Sequence, residues 1–258
     1  MKHSSTRRVH RLVGIGGFLA LIGVWSLFAR DANELILPSP TDVIRALVHL
    51  AQTGELLTNF VITLRRALIG FSLGFSAGLA VALAMAKSEV IRVFLQPVVT
   101  VMQTIPPVIW LIIAVIWFGI AQEITPIFII FVIVFPIVLV GILEGLQGSS
   151  SELKDMGRSF RASHWRLFVH VILPALSPSI VASVRVGLAF AWKSTVLAEF
   201  LGSSSGVGFM LSVSNNLLNT AQVFAWAIVL VAVMLAIEYI GINPLRGWIN
   251  RWLRYAQH

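Results

Sequence analysis

The sequence predicts an all-α integral membrane protein with about six transmembrane helices and both termini in the cytoplasm. Apolar residues make up 57% of the 258 residues and charged residues only 12%, and the mean hydropathy is +0.89. Soluble domains carry about 25% charged residues. Half of that charge cannot coat a globule of this size, which excludes a water-soluble enzyme. The absence of cysteine excludes disulfides and thiolate metal or redox sites.

Six apolar segments are long enough to cross a hydrocarbon core of about 30 Å, which requires about 20 residues. For the first segment a cleaved signal peptide is the alternative, because four basic residues precede it. We favour a retained span, since the segment is long for a signal peptide and no A-x-A site closes it before Arg30. The third segment is interrupted by Pro106 and Pro107. The predicted spans are residues 12–29, 67–86, 94–120, 124–143, 179–200 and 223–242.

The positions of Lys and Arg predict the orientation. Segments 1–11, 87–92, 144–178 and 243–258 hold most of the 19 basic residues, and basic loops stay in the cytoplasm. We therefore predict a cytoplasmic tail over residues 1–11 and one membrane domain over 12–258. The net charge of +8 then records topology and does not indicate nucleic-acid binding. The inside residues are Lys2, Arg7, Arg8, Arg11, Lys87, Arg92, Lys154, Arg158, Arg161, Arg166, Arg246, Arg251 and Arg254.

Between the first two spans, Pro38 and Pro40 stop any helix, and Thr41 or Asp42 can cap a new one. Apolar side chains then share one helical face, which predicts a short helix on the outer membrane interface or an exposed connector. The residues of this face are Val43, Ala46, Leu47 and Leu50.

The second span carries Gly70, Gly74 and Gly78 at four-residue intervals. Such a stripe lets a neighbouring helix approach closely, and in lipid the association of helices depends on such packing. The stripe predicts that this span packs against protein.

The long inside loop 144–178 combines charges with apolar residues at helical spacing from Ser151 onward. This pattern predicts two short amphipathic helices that break near Arg161, Ala162 and Ser163, with Pro174 and Pro178 separating the loop from the fifth span. The loop either lies on lipid headgroups or docks into a cytosolic partner protein.

The loop resembles the signature loop of binding-protein-dependent ABC importer permeases. Asp155-Met156-Gly157 is followed by three residues, Arg161, nine residues, Val171, one residue and Leu173-Pro174. The family pattern is Glu-Ala-Ala, three residues, Gly, nine residues, Ile, one residue and Leu-Pro, and it forms the coupling helices that contact the ATPase. Arg161 replaces the family's glycine, so if that glycine allows a bend with positive φ, Arg161 must accept strain or the bend must shift.

Five further stretches also resemble the nitrate, sulfonate and taurine branch of this family. They are LPSPTDV, TLRRALIGFSLGFSAGLAVALAMA, QTIPPVIWLIIAVIWFG, FPIVLVGILEGL and AWKSTVLAEFLGSSSGVGFML. The resemblance implies a type I (MetI-like) permease fold in the bacterial cytoplasmic membrane. It also implies a permease homodimer, a cytoplasmic ABC ATPase dimer and an external solute-binding protein. This chain would bind no cofactor, and the partner ATPase would bind ATP and Mg²⁺.

The fifth span contains Arg185, Lys193 and Glu199. Charges within a membrane span usually face protein or water. Lys193 either lines the translocation path for an anionic or polar solute, or pairs with a carboxylate or carbonyls of another helix. Glu199 matches a Glu of the related permeases beside a Gly-rich outer loop, residues 203–208 here, which we interpret as an outer gate or binding-protein dock.

Two other classes remain alternatives. A secondary transporter or channel would show broken spans in matching positions of two halves, and only the third span is broken. A membrane enzyme would show clustered carboxylates or histidines at one face, and the six histidines are scattered. The chain has no GxxxxGK[ST] loop, so energy for uphill transport would come from a partner ATPase.

Overall fold

The computed structural model describes residues 2–148 and 173–242, which are helical with short connections and contain no strand. These ranges form nine α-helices and a terminal π-helix over Ile237–Ile242. The α-helices are α1 (Lys2–Asp31), α2 (Pro40–Gln52), α3 (Glu55–Lys87), α4 (Glu89–Thr104), α5 (Pro107–Phe118), α6 (Ile124–Gly148), α7 (Leu173–Gly202), α8 (Val207–Asn216) and α9 (Thr220–Ala236).

The predicted all-α membrane fold is confirmed. Four helices (α3, α6, α7 and α9 with the start of the π-helix) are long and apolar enough to cross a membrane, and the bent pair α4–α5 gives a fifth candidate. The 30-residue helix α1 contains the predicted first span, and it continues through residues 2–11, which the sequence assigned to a tail. The predicted loop 144–178 is helical at both ends, because α6 runs to Gly148 and α7 begins at Leu173.

The third span is two helices rather than one interrupted helix. α4 and α5 meet at an angle of 99°. The cause is local: Ile105 and Pro106 each precede a proline and adopt extended backbone, which a following proline favours. α4 has 16 residues and α5 has 12, so neither alone reaches across about 30 Å at about 1.5 Å per residue.

Helix α6 is the centre of the bundle. More than half of its apolar window is buried (56%), a larger share than in the other three single-helix spans. Its side chains Ile130, Val134, Val138 and Ile142 are fully buried between α3 and α7. Because lipid tails are as apolar as these side chains, close packing rather than water exclusion holds α3 and α7 against α6.

The glycines of α3 lie on the face that contacts α6. A Cβ atom at Gly70 would lie 2.6 Å from the Ile130 Cβ, and one at Gly74 would lie 2.9 Å from the Val134 Cβ. At Gly78 the nearest atom would be the Phe135 carbonyl oxygen at 2.8 Å. The stripe therefore brings the two backbones closer together than any larger residue permits.

Helix α2 packs one face against α8 and α9, and its opposite face is exposed. Its predicted apolar face exists, and Val43 and Leu50 are fully buried in a cluster with Trp226 of α9 and Val207 of α8. The helix begins one turn earlier than its apolar face, with Pro40 as its first residue. Ser39 is the N-cap in place of Thr41 or Asp42, and its hydroxyl accepts a hydrogen bond from the Asp42 backbone N–H.

We expect Gly78→Ala to destabilise the protein by about 1–3 kcal/mol. The new methyl group would contact backbone atoms of α6, which cannot move aside as a side-chain rotamer can. Gly23→Ala is the matched control, because a Cβ at Gly23 of α1 has no atom within 4 Å. The measurement is the Tm of each purified variant in detergent. Equal Tm values for the two variants would contradict close packing of α3 on α6.

Candidate functional site

A buried ion pair joins α3 to the end of α7. Arg66 Nη1 donates to Glu199 Oε1 at 2.9 Å, between residues 133 positions apart in the chain. The Arg66 side chain is 1% exposed and the Glu199 side chain is fully buried. Two charges removed from water are stable only when further hydrogen bonds satisfy their remaining donors and acceptors.

Those further bonds come from two connecting segments. Arg66 Nη2 donates to Glu123 Oε1 at 2.6 Å, in the turn between α5 and α6. The same guanidinium donates to the Ser205 carbonyl oxygen at 2.8 Å and to the Ser205 hydroxyl at 2.9 Å. Both terminal nitrogens of Arg66 are therefore occupied, and its Nε finds no partner among the described residues. We call Thr63, Arg66, Glu123, Glu199 and Ser205 the Arg66 cluster.

The second carboxylate oxygen of Glu199 caps α8. It accepts from the Gly208 backbone N–H at 3.1 Å and from the Thr63 hydroxyl at 2.8 Å. Thr63 Oγ1 in turn accepts from the Val207 backbone N–H at 2.9 Å. A carboxylate at a helix N-terminus is favourable, because the first N–H groups lack intrahelical partners and the helix dipole is positive there.

Two glycines make this approach possible. Gly206 has φ of +101°, and a Cβ there would overlap the Glu199 carboxylate. A Cβ at Gly208 would meet the Val196 carbonyl oxygen and would lie 2.7 Å from the Glu199 Cβ. Side chains at these positions would push α8 off α7, so the glycines of the outer loop serve close contact with Glu199.

The charges of the site balance. Arg65 on the exposed side of α3 also pairs with Glu123, so two arginines face two glutamates. The Arg66 hydrogen bond and the charges of Arg66 and Arg65 lower the pKa of Glu123 below its ordinary value, against the opposing effect of partial burial. The site thus ties α3, the α5–α6 turn, α7 and α8 together at one end of the bundle, the predicted outer end.

The three charged residues predicted in the fifth span have different surroundings. Glu199 belongs to the Arg66 cluster and is buried. Arg185 forms an ion pair with Glu238 of the π-helix, with Nε donating to Oε2 at 3.3 Å. Lys193 is exposed, and its ammonium lies 5.8 Å from the Phe190 ring centroid. Within residues 2–148 and 173–242 no carboxylate or carbonyl pairs with it.

Most of the predicted coupling-loop residues lie outside the described residues: Asp155, Met156, Gly157, Arg161, Ala162 and Val171. Leu173 is the first residue of α7 and Pro174 lies in its first turn. A proline costs little there, because the first N–H groups of a helix have no intrahelical acceptor. Pro178 also lies inside α7, so neither proline separates the loop from the fifth span.

A cavity of about 500 Å³ lies between the ends of α3, α4 and α6 near the undescribed loop. Its polar lining follows one face of α4 and the last turns of α6, with Arg92 and Glu144 as two of its charged members. The polar residues that line it are Glu89, Arg92, Gln96, Thr100, Gln103, Glu144 and Gln147.

Sequence reasoning missed the partner of Glu199. Arg65 and Arg66 directly precede the predicted second span, residues 67–86, so the predicted orientation places them on the outer side of the membrane. α3 begins at Glu55, so Arg66 lies about three turns inside a helix, where a charge requires a partner. The depth of Arg66 in its helix was one signal, and a Glu without a sequence-predicted partner near the end of another span was a second. Together they could have predicted the pairing of Arg66 with Glu199.

The comparisons with known proteins agree with this architecture. Residues 70–255 match the family described as binding-protein-dependent transport system inner membrane component. A putative aliphatic sulfonates transport permease of Escherichia coli is 32% identical over 236 residues, which cover 91% of this chain and 89% of that protein. A putative ABC transporter permease of Methanocaldococcus jannaschii is 30% identical over 240 residues, 91% and 85% of the two chains. The taurine transport system permease of E. coli is 28% identical over 247 residues, 93% and 89%.

Solved structures show the same fold. An amino acid ABC transporter crystallised with histidines aligns with a TM-score of 0.64 at 17% identity, over 80% of this chain and 97% of that one. The inward-facing MetNI methionine ABC transporter aligns with a TM-score of 0.62 at 18% identity, over 72% and 92%. Fold and matches together define a multi-pass inner-membrane transport component. The chain belongs to the ABC importer permeases, the binding-protein-dependent transport system inner membrane components.

We expect Glu199→Gln to destabilise the protein by about 3–5 kcal/mol, because it leaves the Arg66 guanidinium buried without its main counter-charge. The double variant Arg66→Gln/Glu199→Gln should lose less stability than the sum of the two single variants, since it removes both charges together. Tm values in detergent provide the measurement. Arg65→Gln is the matched control: its side chain is 57% exposed, and the change should cost no more than about 1 kcal/mol. Strict additivity of the two single variants would contradict the pairing.

We also expect the contribution of Glu123 to depend on pH. Because its pKa is lowered in the folded protein, the stabilisation is present above the ordinary carboxyl pKa and is lost as pH falls through the lowered value. Wild type should therefore have a higher Tm than Glu123→Gln at pH 7, and the difference should shrink below about pH 4. A difference that stays constant from pH 7 to pH 3.5 would contradict the Arg66–Glu123 contact.

Proposed function

We propose that two copies of this chain form the translocation pathway of an ATP-driven importer for a small anionic or polar solute. Nitrate, sulfonates including taurine, bicarbonate and related compounds are the candidate solutes. An external solute-binding protein delivers the solute, and a pair of cytoplasmic ABC ATPase subunits supplies the energy. ATP and Mg²⁺ bind to those subunits, and this chain carries no cofactor of its own.

The proposed solute class rests on the match to permeases named for sulfonates and taurine. Two such relatives align over about nine tenths of both chains, so the similarity extends far beyond the family's shared loop. Membership of the ABC importer permeases also decides against the alternatives of a secondary transporter, a channel or a membrane enzyme. Among sulfonates and taurine-like solutes, we favour aliphatic sulfonates as the first test compounds.

The packing of α6 and α7 supports coupling through the loop between them. The loop over residues 149–172 leaves from α6 and returns into α7, the two helices that lie side by side in the core. Ser179 and Ser183 of α7 lie directly against Gly145 and Gly141 of α6. A displacement imposed on the loop by an ATPase would therefore move closely packed helices, which shift as units rather than deform continuously.

The other end of α7 connects the coupling loop to the predicted outer loop. α7 has 30 residues, a length of about 45 Å at about 1.5 Å per residue. Its last turn carries Glu199, which caps α8 and binds Arg66. Movement of α7 would thus reach residues 203–206, the part of the predicted outer loop (residues 203–208) that precedes α8. This arrangement supports alternating access, in which events at the ATPase open or close the outer side.

The test is reconstitution of the permease with its ATPase and binding protein in proteoliposomes. We expect uptake of radiolabelled ethanesulfonate or taurine that requires both ATP and the binding protein. Uptake that persists without the ATPase would contradict the importer mechanism. If ATP is hydrolysed but no sulfonate is taken up, the solute is instead nitrate, bicarbonate or a related compound.

A charge reversal in the loop tests the coupling surface. We expect Asp155→Arg to lower the amount of ATPase that co-purifies with the permease by at least about tenfold, equivalent to about 1.4 kcal/mol. The matched control is Asp31→Arg, at the end of α1 and on the predicted opposite side of the membrane. Equal ATPase recovery for both variants would contradict docking through this loop.

A further inference from the structure

Lys193 is an exposed cation within a membrane-spanning helix. It lies in the apolar stretch Leu176–Gly202, and no described residue offers it a hydrogen bond or an ion pair. Its one aromatic contact is the Phe190 ring, one turn earlier on α7, at 5.8 Å from Nζ to the ring centroid. Phe190 is itself 42% exposed. Both side chains therefore lie on a face of α7 that the described part of the chain leaves open.

Contact with lipid tails is unfavourable for the ammonium group of Lys193. Lys193 lies about 14 Å from Gly202 and about 26 Å from Leu176 along the helix axis, at about 1.5 Å per residue. A lysine near a helix end can extend to the headgroups. Helical side chains lean toward the N-terminus of their helix, so Lys193 leans toward Leu176, the farther end. A charge at that depth faces protein or water.

Apart from Lys87 at the exposed end of α3, the other cations of the described spans have carboxylate partners. Arg66 binds Glu199 and Glu123, and Arg185 binds Glu238. Lys193 lies between these two ion pairs along α7, at a depth where the described helices contain no further carboxylate. The bundle thus neutralises the cations on both sides of Lys193 and leaves this one without an acid.

A second copy of the same chain cannot supply the missing carboxylate. In the described spans, Glu199 and Glu238 already bind arginines. Glu55 is the first residue of α3, and Glu144 lies in the last two turns of α6. The remaining described acids lie in connections or at the ends of helices (Asp31, Glu34, Asp42, Glu89 and Glu123), and Glu152 and Asp155 belong to the predicted cytoplasmic loop. A homodimer could cover Lys193 with a surface, but it would offer no counter-charge at that depth.

We infer that Lys193 faces a water-filled translocation pathway and binds the anionic group of the solute in transit. This inference rests on the proposed importer function and names the contact that selects for charge. The ligand class is a small organic anion with a singly charged oxyanion group, of which a sulfonate is the example. In a dimer, the two Lys193 side chains contribute one cation from each copy.

Water access can be tested without any transport. Because the chain contains no cysteine, the single variant K193C introduces a unique thiol. The assembled transporter in proteoliposomes is treated with 2-sulfonatoethyl methanethiosulfonate, an anionic reagent that does not cross membranes. Mass spectrometry of this chain then gives the labelling rate. We expect K193C to react at least about tenfold faster than A191C, because Ala191 is 1% exposed and packed in the core.

An unreactive K193C would overturn the inference, because it would place residue 193 in lipid or in a sealed interface. ATPase that co-purifies with both cysteine variants in wild-type amount shows that they are assembled.

Uptake measurements separate this inference from the importer function. We expect K193M to lower ethanesulfonate uptake at least about tenfold and K193R to retain more uptake than K193M, with ATP hydrolysis stimulated by the binding protein in both. The matched control is K87M, at the exposed last residue of α3. Wild-type uptake by K193M would overturn the role of Lys193 and leave the importer function intact. Failure of the wild-type complex to import would instead contradict the importer function.

Discussion

The buried pair of Arg66 and Glu199 is the constraint on which the rest of the predicted outer end depends. Neither charge is stable in that position unless several donors and acceptors meet at once. α7 must present Glu199 to the first N–H groups of α8, and Ser205 must face the guanidinium. Gly206 and Gly208 follow from the same requirement, since side chains there would occupy the space of the Glu199 side chain and its backbone neighbours. A single ion pair therefore fixes the positions of two helices, a loop and a turn.

The other constraint is the contact between α3 and α6. In a membrane, helices gain little from leaving lipid, so they associate where their backbones can approach. Gly70, Gly74 and Gly78 provide that approach along α3. Because Arg66 lies one turn before this stripe on the same helix, its pairing with Glu199 occurs where α3 is already held against α6. Apolar packing thus supplies the fixed geometry that the charged groups need, and the charged groups connect this core to the loop that follows α7.

Local patterns in the sequence predicted those features that depend on neighbouring residues. Apolar length identified the spans, the glycine interval indicated a packed face on α3, and the apolar face of α2 was visible in its spacing. Tertiary partners could not be predicted in this way. Glu199 and Arg66 are separated by 133 positions, and Arg185 and Glu238 by 53, so nothing local indicates either pairing. The contact of α2 with α8 and α9 and the 99° angle between α4 and α5 were missed for the same reason, since hydropathy does not distinguish lipid from protein contact, or a kink from a sharp turn.

Three charged residues of α7 show how tertiary surroundings decide the role of a charge in a membrane. Glu199 and Arg185 are bound by partners of this chain, and their charges serve its structure. Lys193 lacks such a partner among the described residues, and the described spans of a second copy contain no carboxylate that is not already bound to an arginine or placed at a helix end. A conducting site must bind its solute well enough to admit it and weakly enough to release it. A lysine suits that need better than an arginine, because its ammonium is a compact, strongly hydrated charge without the bidentate geometry by which a guanidinium grips an oxyanion. In the described spans, Arg66 and Arg185 connect helices through ion pairs, and Lys193 is the residue suited to reversible contact with an anion.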